Sequence, residues 1–290
     1  LVAVKGTIED ELRASIATMT RAERQLASHI LRNYPVSLLG SVTQLAKAAD
    51  VSSPTVVRLA QKMGYGGYPG LQAALREEIE SRLVGPLAKH DLWAARAPEG
   101  HMLNRFADAV MANLHATLSQ IDQADFDAVA ALLADPTRKI FATGGRITLA
   151  MAEYFATHMK VIRPDVELLI PLSNAWPPAL LEIERGDVLL VFDIRRYENA
   201  VLQLVEMASE QGAEIVLITD PWVSPAAAHA RIRLSAQVEV PSAWDSTVAI
   251  QLIVETLMAA VQALTWDTTA ARMQRLEELY ERARFFRGKK

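Results

Sequence analysis

Residues 41–65 read SVTQLAKAADVSSPTVVRLAQKMGY, two helix starts separated by one short break. Ser41-Val42-Thr43-Gln44 is a capping box, in which the serine hydroxyl accepts from the backbone N–H three residues on and the glutamine reaches back. A short helix therefore opens here and runs to about Ala49. After Asp50-Val51-Ser52 comes Ser53-Pro54, an N-cap followed by proline at the first helical position, where the missing N–H costs nothing. That second helix runs to Met63 and stops at Gly64.

Two short helices joined by about three residues form a helix-turn-helix candidate, whose second helix enters the major groove with its N-terminal residues at the base edges. Ser52, Ser53, Thr55, Arg58 and Lys62 are its polar members and the candidate DNA contacts, while Val56, Leu59 and Ala60 face inward. Hydroxyls beside a helix N-terminus meet phosphate, and Arg58 reaches a guanine edge or the backbone. The same spacing also suits a small helical packing or dimerisation domain.

Working outward, Glu9–Met19 carries apolar residues at helical spacing, and Thr20-Arg21-Ala22-Glu23 is another capping box that opens a helix ending near Asn33-Tyr34-Pro35. A further helix is expected from Leu71 to about Leu83. Residues 84–100 hold Gly85-Pro86, Pro98 and Gly100 among weakly patterned residues and read as a linker. The expected division is a helix-turn-helix domain over 1–82, a linker over 83–100 and a second domain over 101–290 with a C-terminal helix.

From residue 138 the rhythm changes. Lys139–Ala142, Asp165–Ile170, Asp187–Phe192 and Glu214–Thr219 are short apolar runs alternating with helical stretches, the pattern of βαβ units in a parallel sheet covered on both faces. A long helix over about Ser246–Leu264 and a charged helix over Arg272–Arg287 follow. The fold class is thus two domains, an all-α N-terminal domain and a doubly wound α/β domain.

Ligands of such sheets bind outside the carboxyl ends of the strands. Gly144-Gly145-Arg146-Ile147-Thr148 follows the first strand and suits an anion loop, with Gly144, Gly145, Arg146 and Thr148 as candidates, although a tight turn needs glycine equally. Asp193, Arg195, Arg196 and Tyr197 end the third strand, where paired arginines can hold a carboxylate or phosphate or simply form internal salt bridges. Ser224, in the loop Thr219–Pro225, shares that edge.

No catalytic, cofactor or metal motif appears: the glycines are not G-x-G-x-x-G, no Walker lysine follows, and the six histidines lack ligand spacing. The chain has no cysteine, no run of about 18 apolar residues and no basic-then-apolar start, which together predict a cytoplasmic protein without a membrane partner. It starts at Leu1 and not at Met, which leaves open a longer natural N-terminus. A net charge of −4 over 290 residues argues at first against nucleic acid, but residues 1–80 hold 9 Lys+Arg against 8 Asp+Glu. The acidic excess belongs to the remainder, with 21 against 26.

The whole chain resembles the RpiR/MurR family of bacterial transcription regulators, which join a helix-turn-helix domain to a SIS (sugar isomerase) domain. Leu45-Ala46, Val51-Ser52, Thr55–Arg58, Lys62–Tyr65 and Gly67-Tyr68 carry the first half of the resemblance. Gly144-Gly145, Gly186-Asp187, Gly212-Ala213 and Ser224-Pro225 carry the second. The resemblance implies a homodimer or tetramer that binds a double-stranded operator and answers to a small-molecule effector. SIS domains that bind phosphosugars carry a Ser-x-Ser-Gly-x-Thr loop where this chain reads Asp193-Ile194-Arg195-Arg196-Tyr197-Glu198. A sugar phosphate, another acid, or a ligand bearing both acid and amine are therefore all open. The rivals are a sugar-phosphate isomerase, for which Glu255 or His229 is the available acid/base residue, and a non-catalytic sugar-phosphate-binding protein.

Overall fold

A computed structural model describes residues 7–32, 34–83, 100–170 and 175–285. The chain divides into two compact units, 1–85 and 86–290. Most of the expected linker, 84–99, lies outside the described residues.

The first unit consists of α1 (Ile8–Ser15), α2 (Arg21–Arg32), α3 (Val42–Ala48), α4 (Ser53–Lys62) and α5 (Tyr68–Leu83). The helix expected over Glu9–Met19 stops at Ser15 and tightens into a 3₁₀ turn over Ile16–Thr18. Its start is a capping box that the sequence reading passed over: Thr7 and Asp10 satisfy each other's backbone N–H groups. One core holds the helices together, built on Leu12, Leu26, Ile30, Leu38, Leu59 and Leu75. Each such fully buried side chain contributes about 1.5–3 kcal/mol.

The second unit opens with α6 (Met102–Gln120) and α7 (Gln123–Ala134), the latter capped by Asp122. Then come β1 (Ile140–Gly144), α8 (Leu149–Ile162), β2 (Val166–Leu168), α9 (Trp176–Leu181), β3 (Val188–Asp193), α10 (Asn199–Glu210), β4 (Glu214–Thr219), β5 (Ile232–Ser235), α11 (Val248–Leu264) and α12 (Trp266–Ala283). All four strand pairs are parallel and the order is β2-β1-β3-β4-β5.

Alternation along the strands feeds two separate cores. Ile140, Ala142, Val188, Leu190, Val216 and Ile218 pack beneath α7, α8 and α11, whereas Phe141, Leu189, Val191, Ile215 and Leu217 pack against α9 and α10. Burial on both faces explains why these strands read as continuous apolar runs.

Three expectations change here. β2 is only three residues long, shorter than the run Asp165–Ile170, whose first residue adopts a left-handed φ of 58°. β5 was not foreseen, because Arg233 and Ser235 alternate with buried Ile232 and Leu234 in the half-exposed manner of an edge strand. The charged C-terminal helix starts at Trp266, one residue after α11 ends, with a bend of 102° between the two. No single helix among the described residues is long and apolar enough to cross a membrane.

Buried Arg163 closes the bottom of this unit. Its guanidinium donates to the carbonyls of Leu133 (2.8 Å) and Asp135 (2.7 Å), at the end of α7 where helical partners run out, and to that of Arg138 just before β1. Burial lowers its pKa.

Candidate functional site

The helix pair forms as its sequence dictates. Ser41 Oγ accepts from the Gln44 N–H (3.2 Å) while Gln44 Oε1 accepts from the Ser41 N–H (2.8 Å). A turn through Asp50, with φ of 52°, leads into α4. The N-cap is Ser52 and not Ser53, which places Pro54 at the second helical position, still within the turn whose N–H groups lack helical acceptors.

The five candidate DNA contacts do not share one face. Thr55 is buried, with its hydroxyl 2.9 Å from Ser52 Oγ and accepting from Arg58 Nη2 at 3.3 Å, so it holds the first turn and steadies Arg58. Lys62 reaches back to the 3₁₀ turn and to α2, donating to the Thr18 carbonyl (2.7 Å) and to Glu23 (3.0 Å). The Thr20 N–H and then Lys62 hold the Glu23 carboxyl below its ordinary pKa. The outward stripe is Pro54, Arg58, Gln61 and Lys62, with Ser52 exposed at its start and Ser53 half-buried. Gln61 was not singled out in the sequence; its spacing of three from Arg58 is the signal that marks it, and a glutamine amide can pair an adenine edge bidentately.

In the second unit the order β2-β1-β3 places a topological switch point between β1 and β3, where such sheets hold ligands at the strand carboxyl ends. The loops bearing Gly144–Thr148 and Asp193–Glu198 meet there. A Cβ on Gly144 would lie 2.7–2.8 Å from backbone atoms of Thr148 and Leu149, so glycine alone lets α8 start this close to β1. Thr148 is buried and donates to the Phe192 carbonyl at 2.6 Å, pinning the two loops together. Arg146 is exposed at the rim.

The glycine loop receives a carboxylate from the protein itself. Glu198 Oε1 accepts from the Arg146 backbone N–H at 2.6 Å and would stand 3.1 Å from a Cβ on Gly145. Glu198 is the N-cap residue of α10, yet its side chain makes no cap bond to its own helix.

The paired arginines separate. Arg195 is stacked 3.8 Å above the Trp222 ring and bonded to Asp245 (2.7 Å) and Glu239 (3.0 Å), with 7% of its side chain exposed. Arg196 is exposed and left-handed at φ 60°, a conformation that favours glycine. Tyr197 donates to Asp220 Oδ1 at 2.7 Å, and Asp220 also accepts from the backbone N–H groups of Arg195 (2.6 Å) and Trp222 (3.0 Å).

Asp193 is bonded by the Ser224 hydroxyl. Burial pushes its pKa up to about 7 against the opposing Ser224 bond, with Asp220 and Glu198 adding like charge. Burial also raises Asp220, against the Arg195 N–H and the Tyr197 hydroxyl. Of the acid/base residues considered for the isomerase, Glu255 sits on an exposed helix face accepting from Tyr154 and Gln251, and His229 lies 3.9 Å from Glu206.

Glu198, Asp220, Trp222, Glu239 and Asp245 contact the candidate residues without being among them. Glu198 and Asp220 lie in loops already marked, so strand-end position could have found them; Glu239 and Asp245 sit in the irregular segment after β5 and carry no periodic signal.

Comparison with known proteins fits this geometry. Residues 6–82 match the helix-turn-helix domain of the rpiR family, and residues 132–264 match the SIS domain. The transcriptional regulator HexR of Pseudomonas aeruginosa is 23% identical over 218 residues, covering 72% of each chain. The sugar isomerase domain of an RpiR transcription factor from Sphaerobacter thermophilus aligns with a TM-score of 0.56 at 19% identity, covering 61% of this chain and 97% of that one. The NanR protein of Vibrio vulnificus, complexed with ManNAc-6P, aligns with a TM-score of 0.54 at 19% identity over 95% of this chain and 98% of that one. The two units, an rpiR-type helix-turn-helix domain and a SIS domain with a five-stranded parallel sheet, place this chain in the RpiR family of helix-turn-helix transcription regulators.

Proposed function

We propose that the helix pair binds a double-stranded operator as part of a homodimer or tetramer, and that a small metabolite bound at the β1/β3 edge sets the affinity. The observation that supports this most is the pairing, in one chain, of an rpiR-type helix pair with a sheet edge where two loops converge. The DNA-facing residues in this reading are Ser52, Ser53, Arg58 and the outward Gln61, with Thr55 and Lys62 acting through their neighbours. The effector edge comprises Gly144, Gly145, Arg146, Thr148, Asp193, Arg196 and Tyr197, with Arg195 and Ser224 behind them. No catalysis is needed, and the role is cytoplasmic. Coupling between the sites requires the ligand to prefer one arrangement of the protein, typically by about 1–3 kcal/mol.

Gel retardation with DNA from the gene's own upstream region tests the reading. Arg58→Ala is expected to weaken binding by about 1–3 kcal/mol, more than Lys47→Ala, because Arg58 lies on the outward stripe of α4. No retardation at low salt, or an equal effect of the two substitutions, would sink it.

A further inference from the structure

We propose that Glu198 is a built-in anion that excludes phosphate from the effector edge and so restricts the effector to metabolites without a phosphate group. This rests on the effector reading above. A glycine loop between a strand and a helix offers backbone N–H groups to an anion, and the Arg146 N–H is such a donor. Here the donor is already taken, at 2.6 Å, by Glu198 Oε1. The same carboxylate stands against the open face of Gly145, where a Cβ would come within 3.1–3.3 Å of Oε1 and Cδ. That face is the approach a phosphate oxygen needs, so the carboxylate and a phosphate cannot occupy it together.

Charge points the same way. Arg195, whose buried side chain springs from the loop between β3 and α10, is bound to Asp245 and Glu239. Asp220 and Glu198 lie close enough to Asp193 to raise its affinity for protons, and Asp245 acts likewise on Asp220. A phosphate entering passes exposed Arg146 and Arg196 at the rim, whose charge water screens, and then meets the Glu198 carboxylate at the loop amide. The ligand class left to this edge is one that meets Glu198 with hydroxyl or ammonium donors, as a sugar, an amino sugar or an amino acid does.

The test is a thermal-shift and direct-binding series on the full chain with inorganic phosphate and a panel of hexose and pentose phosphates. The wild type is expected to show no saturable stabilisation at about 10 mM of any of them. Glu198→Thr, which leaves a small hydroxyl, and Glu198→Gln, which keeps the shape and removes the charge, are expected to bind at least one phosphate compound about tenfold or more tightly than the wild type. Saturable phosphate binding by the wild type, or no gain in either variant, overturns the proposal. Amide exchange at Arg146 in the wild type checks it without substitution: exchange unchanged by phosphate supports it, and phosphate-dependent protection overturns it. Operator retardation measured without ligand on the same proteins separates the two readings, since its loss in the wild type fails the regulator and leaves the phosphate result standing.

Discussion

Asp193 is almost sealed from water, and its Ser224 donor opposes burial without cancelling it. Its folded pKa of about 7 exceeds the ordinary 3.8, so the folded chain holds a proton that the unfolded chain has released. Stability from this group is complete below the unfolded value and is lost as pH rises through about 7. We expect Asp193→Asn to flatten the fall in melting temperature between pH 4 and 7 and to melt above the wild type at pH 8, the difference being on the order of a few kcal/mol. Thermal melts across pH check this; parallel curves for the two proteins would contradict it. Arg195 shows what a sequence can and cannot disclose at this scale. Its type and its place after β3 were legible, but its partners Asp245 and Glu239 come from a segment more than 40 residues away with no pattern of its own, so a ligand arginine and an internal pillar look identical until the chain is folded.

At the scale of elements, the capping boxes at Thr20 and Ser41 and the apolar runs were readable because each depends on neighbours within four residues. β5 and the early start of α12 were not, since an edge strand needs only half its residues apolar and a one-residue break between helices leaves almost no sequence trace. The junction of β1 and α8 is the tightest of these joins. Gly144→Ala would force its methyl to within 3 Å of the backbone of Thr148 and Leu149, with no flexible side chain to yield. The expected cost is about 3 kcal/mol, or a shifted start of α8. Urea unfolding followed by far-UV circular dichroism measures it, and a wild-type midpoint would show that the helix can retreat. The ion pair from Lys62 to Glu23 has the opposite character: it joins residues 39 apart, and no local pattern announces it.

For the whole molecule, a net charge of −4 conceals a slightly basic first unit, and only the division into units made the number useful. The outward cations of the helix pair are few: Lys47, Arg58 and a Lys62 already engaged by Glu23. Each phosphate neutralised contributes about −0.9 to the slope of log K against log salt. A two-headed dimer of this protein is therefore expected to show a slope no steeper than about −4, and retardation over a salt series reads it directly. A much steeper slope would mean that further cations outside α3 and α4 touch DNA.

The left-handed Arg196 shows what this arrangement permits. The loop between β3 and α10 keeps a glycine-like bend while carrying a long guanidinium. Its course is thereby independent of its lining: the bend, the close start of α8 and the Thr148 pin behave as a mould, and the residues that face a ligand behave as interchangeable inserts. A scaffold built this way can acquire a new chemical vocabulary by single codon changes in one loop, without reopening the question of how it folds.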